Sequence, residues 1–404
     1  MALKNHSKLR LFFILIIFIL IISVPVVSNI IIVQFYGPKL VQMNSGIQKH
    51  KEAILKDLDL LSKNPLFPEI HFEKDAQEFL SQHVSWDGKQ ILPLQDESHQ
   101  KLKQWDPQNI RWDNATEIKA QLTNSWLDSI DTSWMDQLSQ YDSWVWSTHP
   151  KMFELINEAK NKNSIERIEI FSSLPIPDLQ ELKKWTYIHF LQKYKHGHGQ
   201  EGLNTLHHMA YLCHSAGFLV SQMMAVALLN VESKIEKSLN LKKTIAFTDE
   251  QVLAYRRVSW AWTGIINAAW FNQWDPSFDP YLKQSSGLCA GTWEETMGLE
   301  GLKDFFEPRA PLEYSFEKNF ADGRALQTRL INMCHFKNYD VFRSEIPASV
   351  NPFIVDYSIL SAASQENSPS HHNNLNFARI PYLRRLIGLQ IMTIATPNWT
   401  KLYE

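Results

Sequence analysis

The sequence predicts a mainly α-helical protein in which an N-terminal single transmembrane helix is followed by a large irregular α-helical bundle with two buried central helices. Three observations carry this expectation. Residues 11–33 read LFFILIIFILIISVPVVSNIIIV without Asp, Glu, Lys or Arg, which is long enough for a helix of roughly 20 residues to cross a hydrocarbon core. Residues 202–231 and 258–274 also lack those four residue types, yet carry His, Asn, Gln, Ser or Thr at intervals. Such stretches are too polar for a good lipid span and too apolar for a surface, so they read as a pair at the middle of a bundle, the alternative being a polytopic membrane protein. Elsewhere apolar residues recur at helical spacing, as at Ile47, Ile54, Leu58 and Leu61 with charges between them.

Taken in order, residues 1–10 are expected to be a cytoplasmic tail, 11–35 the anchor, and 36–404 a soluble helical body, either one large domain or two packed subdomains at about 36–177 and 178–404. Pro25 lies inside the span, where neighbouring groups satisfy the freed carbonyl more readily than in a water-soluble helix. A cleaved signal peptide is the competing reading, with Lys4, Lys8 and Arg10 as its basic start. Cleavage after Ser28 would leave Asn29-Ile30-Ile31-Ile32-Val33 as a free apolar terminus, so retention is expected. Lys39, Lys49 and Lys51 balance the basic residues before the span. The basic residues of the tail crowd against the span, which favours a body on the extracytoplasmic side.

In the body, residues 41–62 form an amphipathic helix leaving the membrane, and residues 85–114 an irregular crossing held down by Trp86, Trp105 and Trp112. Trp126, Ile130, Trp134 and Leu138 fall four apart and share a helical stripe. Asp128, Asp131, Asp136 and Asp142 decorate the same stretch. Asp131 reads as an N-cap that restarts the helix and the others as a solvated face, the alternative being a site for a hard cation. Leu174-Pro175-Ile176-Pro177 marks a rigid linker before Asp178, which caps a helix running to about Lys195. Further helices are expected at 320–338 and 376–395, with a long loop within 346–374.

Composition excludes several function classes. With 44% hydrophobic and 12% aromatic residues there is ample material for a core, and disorder is not indicated. A net charge of -3 removes the electrostatic case for nucleic acid. Nucleotide binding through a phosphate-cradling loop is not expected, since there is no GxxxxGK and no GxGxxG after a strand. Cys213, Cys289 and Cys334 are odd in number and far apart, so neither a disulfide framework nor a thiolate zinc site is indicated, and Cys213 is expected as a buried thiol.

Three constellations bear on chemistry. His196 and His198 open a loop before a helix carrying His207, His208 and His214. His207 and His214 are seven apart and share a face, and with His196 and His198 they are candidate ligands for a divalent transition metal, although no specific motif is formed. No cofactor is otherwise predicted, and structural roles for these histidines are the plainer reading. Glu232 ends a long apolar helix, where burial would raise its pKa as a general acid requires. Val231-Glu232-Ser233 resembles the Val-Glu-Ser of soluble lytic transglycosylases, which cleave peptidoglycan, and the resemblance implies a catalytic acid at Glu232. The chain departs from that family in lacking a downstream Gly-Leu-Met-Gln type segment, and an exposed charge at a helix end is the plainer reading of Glu232. On one straight helix His214 and Glu232 would stand roughly 27 Å apart at 1.5 Å per residue, so they are not expected to share a centre. Trp260, Trp262, Trp270 and Trp274 are candidates for glycan stacking, and more simply core residues. The leading expectation is a non-catalytic scaffold or binding protein of the cell envelope, with the membrane and an envelope protein or glycan as partners. The alternative is an exported hydrolase working through the histidines or Glu232.

Overall fold

The computed structural model describes residues 37–86, 104–159, 170, 173–242, 245–271, 276–282 and 403. The expected anchor at 11–35, the helices at 320–338 and 376–395, the loop in 346–374, and Trp274, Cys289 and Cys334 lie outside the described residues. Among those residues the protein is mainly helical, with no strand and two isolated bridges, Asp75 to Ser143 and Trp86 to Pro177. No helix among them is long and apolar enough to cross a membrane.

The first described helix is α1 (Gly37–Lys63). Its apolar stripe is buried at Ile47, Ile54 and Leu58. The chain then crosses irregularly to α2 (Ala115–Gln121), whose start is capped by Asn114 accepting the amides of Thr116 and Glu117. Trp86 and Trp112 are buried in this crossing and Trp105 is half-buried.

The stripe from Trp126 to Leu138 is present in a different form. Instead of one α-helix the chain makes two 3-10 segments, Ser125–Ser129 and Ser133–Gln140. Asp131 accepts the Ser133 amide at 2.9 Å, giving the backbone a local partner that competes with a continuous helix. Ile130, Trp134 and Leu138 are nevertheless buried. The acidic residues of this stretch act as ties: Asp136 pairs with Lys193 at 2.7 Å, Asp128 with Lys195 at 2.5 Å, and Asp142 accepts the amides of Glu73 and Lys74.

After α3 (Pro150–Ala159), Asp178 caps α4 (Leu179–Lys195) through the Glu181 amide at 2.9 Å. Helices α4 and α5 (Gly199–Ser215) pack closely because Gly202 has no side chain. A Cβ there would meet Lys193 Cβ at 2.9 Å and Phe190 Cα at 3.1 Å.

The expectation of one uninterrupted helix over 202–231 is corrected. Helix α5 ends at Ser215, Gly217 takes a φ of +76° that an L side chain resists, and the chain reverses into α6 (Leu219–Leu239). A second reversal begins at Asn240, whose φ of 52° closes α6 in the left-handed region. It leads to α7 (Asp249–Phe271). Helix α7 lies antiparallel along α1: Arg257 grips Asp57 with two bonds of 2.6 and 2.7 Å, and Gln251 donates to the Asn64 carbonyl at 2.8 Å. One buried cluster runs from Leu66 to Tyr255, with Trp144, Trp146 and Trp185 among its largest members.

Candidate functional site

The α5–α6 reversal places the chemistry-bearing residues. Antiparallel packing brings Glu232, 25 residues on in sequence, back onto His207, and brings Gln222 onto His214. His207 Nδ1 lies 2.9 Å from Glu232 Oε2. His214 Nδ1 lies 3.0 Å from Gln222 Oε1 and 2.6 Å from the Tyr255 hydroxyl on α7. From the segment after α1, Phe67 enters between the two pairs: its ring stands 5.6 Å from His207 and stacks on His214 at 4.7 Å.

Both pairs are interior. Glu232 is 2% exposed and His214 3%, so the expectation of Glu232 as an exposed charge at a helix end is corrected. Its physical cause is the reversal at Gly217, which turns the second half of the apolar run inward against α5. The same reversal removes the 27 Å argument: Glu232 meets a histidine of the expected cluster, His207 rather than His214.

The hydrogen bonds assign protons. Gln222 Nε2 donates to the His214 carbonyl at 2.6 Å, which turns Oε1 toward the imidazole as an acceptor. Tyr255 donates its hydroxyl hydrogen to that same Oε1, so His214 carries its proton on Nδ1. Burial holds the His214 pKa down at about 4, with the Gln222 bond opposing. Burial likewise raises the Cys213 thiol and lifts the Tyr255 phenol well above its usual range. Cys213 is the buried unbridged thiol expected of it. At the other pair the Glu232 carboxylate fixes a proton on His207 Nδ1. His207 Nε2 is buried with no hydrogen-bond partner, and the imidazole packs beside Phe67 and, at 5.7 Å between ring centres, Phe247.

The remaining sequence candidates are elsewhere. His196 is exposed, 4.0 Å from Asp128, and His198 is exposed beside Glu201 at 3.1 Å. His208 Nε2 donates to the Tyr141 carbonyl at 3.0 Å, and burial lowers its pKa. His207 and His214 therefore converge on Phe67 while His196 and His198 do not join them. Among the described residues no group of three or more His, Cys, Asp or Glu is placed to hold a metal ion. Trp260 is half-buried on α7, and the side chains of Trp262 and Trp270 lie outside the described residues.

No family model matches this chain, and no curated protein and no solved structure is similar to it.

The arrangement resembles a base and its orienting carboxylate, the part of an acid–base centre that sets an imidazole's tautomer. A working centre also needs a substrate within about 3 Å of the basic nitrogen. Here that nitrogen is buried and makes no hydrogen bond. What sequence reading missed was the His207–Glu232 pair and its companion around Gln222 and Tyr255. The available signal was Ser215-Ala216-Gly217 near the midpoint between residues 207 and 232, a glycine placed as at a helix end.

Proposed function

We propose that this chain is a membrane-anchored protein of the cell envelope, held in the bilayer by residues 11–35, whose extracytoplasmic helical body is a scaffold or binding platform rather than a catalyst. The observation that carries the second half is the enclosure of the chemistry-bearing side chains. Glu232, His207, His214, Gln222 and Tyr255 are bonded to one another inside the core, so their work is to lock α5, α6 and α7 together. The anchor rests on the charge-free run of residues 11–33. Membrane lipid and an envelope protein or glycan are the partners of this reading, with no role for nucleic acid or nucleotide.

Alkaline extraction of membranes and a topology reporter fused to the C-terminus test the anchor. The protein stays in the pellet and the reporter scores as exported; recovery of a soluble form lacking its first thirty or so residues would overturn it. Replacing Glu232 with Gln tests the platform. This change keeps an acceptor for His207 and removes the carboxylate, so the variant retains whatever cellular role the native protein has.

The second reading, an exported hydrolase, is favoured by one contact, the 2.9 Å bond that makes His207 a carboxylate-oriented base. Under it, folded Glu232→Gln protein loses its role in cells, and purified native protein releases fragments from peptidoglycan that the variant does not.

A further inference from the structure

On α1, His50 and Asp57 are separated by two helical turns, so they share one face about 10 Å apart. Both are buried. From α7, Arg257 meets Asp57 edge-on, its Nε and Nη2 donating to the two carboxylate oxygens at 2.7 and 2.6 Å. That leaves the flat face of the guanidinium for another partner. Tyr403, far beyond α7 in sequence, supplies it. The Arg257 guanidinium carbon lies 5.5 Å from the centre of the Tyr403 ring, within cation–π range. The same ring stacks on His50 at 5.9 Å between centres, with 29° between the planes. A single ring therefore touches both helices, α1 through His50 and α7 through Arg257.

These groups are layered. The Asp57 side chain is innermost at 6% exposure and Arg257 comes next at 18%, whereas Tyr403 is partly exposed with its hydroxyl oxygen turned to the inside. His50 Nε2 is buried without a hydrogen bond, and what its imidazole meets is the Tyr403 ring. Burial, with the Asp57 charge adding to it, raises the Tyr403 phenol well above its usual range, so the ring stays neutral and brings no charge to the bridge. Keeping water off an ion pair deepens its attraction, because the effective dielectric falls. A desolvated cation also gains more from an aromatic face than an exposed one does.

We propose that Tyr403 is a clasp across the α1–α7 seam: seated between His50 and Arg257, it keeps the Asp57–Arg257 bridge dry and α1 fastened to the body, and its departure frees α1. The occupant of this socket is the chain's own tyrosine. Because the ring is the outer layer, it leaves while α5 and α6 stay packed, which makes α1 the separable element of the fold. A partner that draws Tyr403 away thereby loosens α1 without unfolding the core.

The test follows amide hydrogen exchange in the full chain in detergent micelles, native and as Tyr403→Ala and Tyr403→Phe. In Tyr403→Ala, residues 54–61 of α1 exchange faster by about tenfold or more while α5 exchanges as in the native protein. Tyr403→Phe keeps the ring and stays within about threefold of native. Unchanged α1 exchange in Tyr403→Ala overturns the proposal. So does an equal rise in α5, because the residue then supports the whole fold and not this seam. Tyr403→Phe as loose as Tyr403→Ala assigns the effect to the hydroxyl and overturns the role of the ring. A benzophenone amino acid at position 403, photo-activated in a mixture of two differently tagged copies of the protein, tests the occupant. It attaches to α1 or α7 of its own chain; attachment to the other copy, or to neither helix, overturns the assignment.

Discussion

Glu232 shows how one side chain can be structural and strongly constrained at once. A carboxylate at 2% exposure is costly unless its charge and lone pairs are met, and His207 supplies a bond at 2.9 Å. Removing one member strands the other in a wall that includes Phe67 and Phe247. Glu232→Ala is therefore expected to lower unfolding free energy by about 3 kcal/mol. Glu232→Gln, which still accepts from Nδ1, should cost under about 1 kcal/mol. Chemical denaturation of the two variants measures the difference. Equal midpoints for Ala and native protein would show that the pair contributes nothing to holding α5 against α6.

At the scale of elements, close approach between α4 and α5 depends on a missing side chain. A Cβ at Gly202 would stand 3.1 Å from the Phe190 backbone and 2.9 Å from Lys193 Cβ, and backbone yields less readily than the tip of a flexible side chain. Gly202→Ala should destabilise by about 2 kcal/mol, the usual scale of overpacking, despite alanine's better helix propensity. A rise in thermal midpoint, which propensity alone predicts, would contradict that packing. This contact also marks where sequence reading runs out. The α4 boundaries were legible because Asp178 and the preceding prolines act locally. The α1 stripe was legible because Ile47, Ile54 and Leu58 repeat with the helix. The reversal at Gly217 was hidden inside a charge-free run that, by periodicity, continues as one helix, and the 3-10 form of residues 125–140 was hidden by a stripe that both helix types can bury. The His207–Glu232 pair depended on the first of these, since only the reversal brings the two residues together.

Across the whole molecule, buried neutral histidines make a collective demand on pH. His214 in the core and His189 beside Thr132 are both held down at about 4, each chiefly by burial. At His189 the Asp136 carboxylate pulls the other way while Lys193 adds to the lowering. Burial also lowers His83 and His208. The unfolded chain binds protons at these sites near pH 6.5, and the native state refuses them until about pH 4, so ν is larger for the unfolded state throughout that window. Stability is therefore unaffected by these groups above about pH 6.5 and falls as pH drops toward 4, by on the order of 3 kcal/mol each for His214 and His189. Urea midpoints measured from about pH 7.5 down to about pH 4.5 should decline steeply through the lower half of that range. His214→Gln, which cannot take up the proton, should start from a lower midpoint yet decline less. The same slope in both proteins would mean that acid acts elsewhere and that the His214–Gln222–Tyr255 contact does not keep its imidazole neutral.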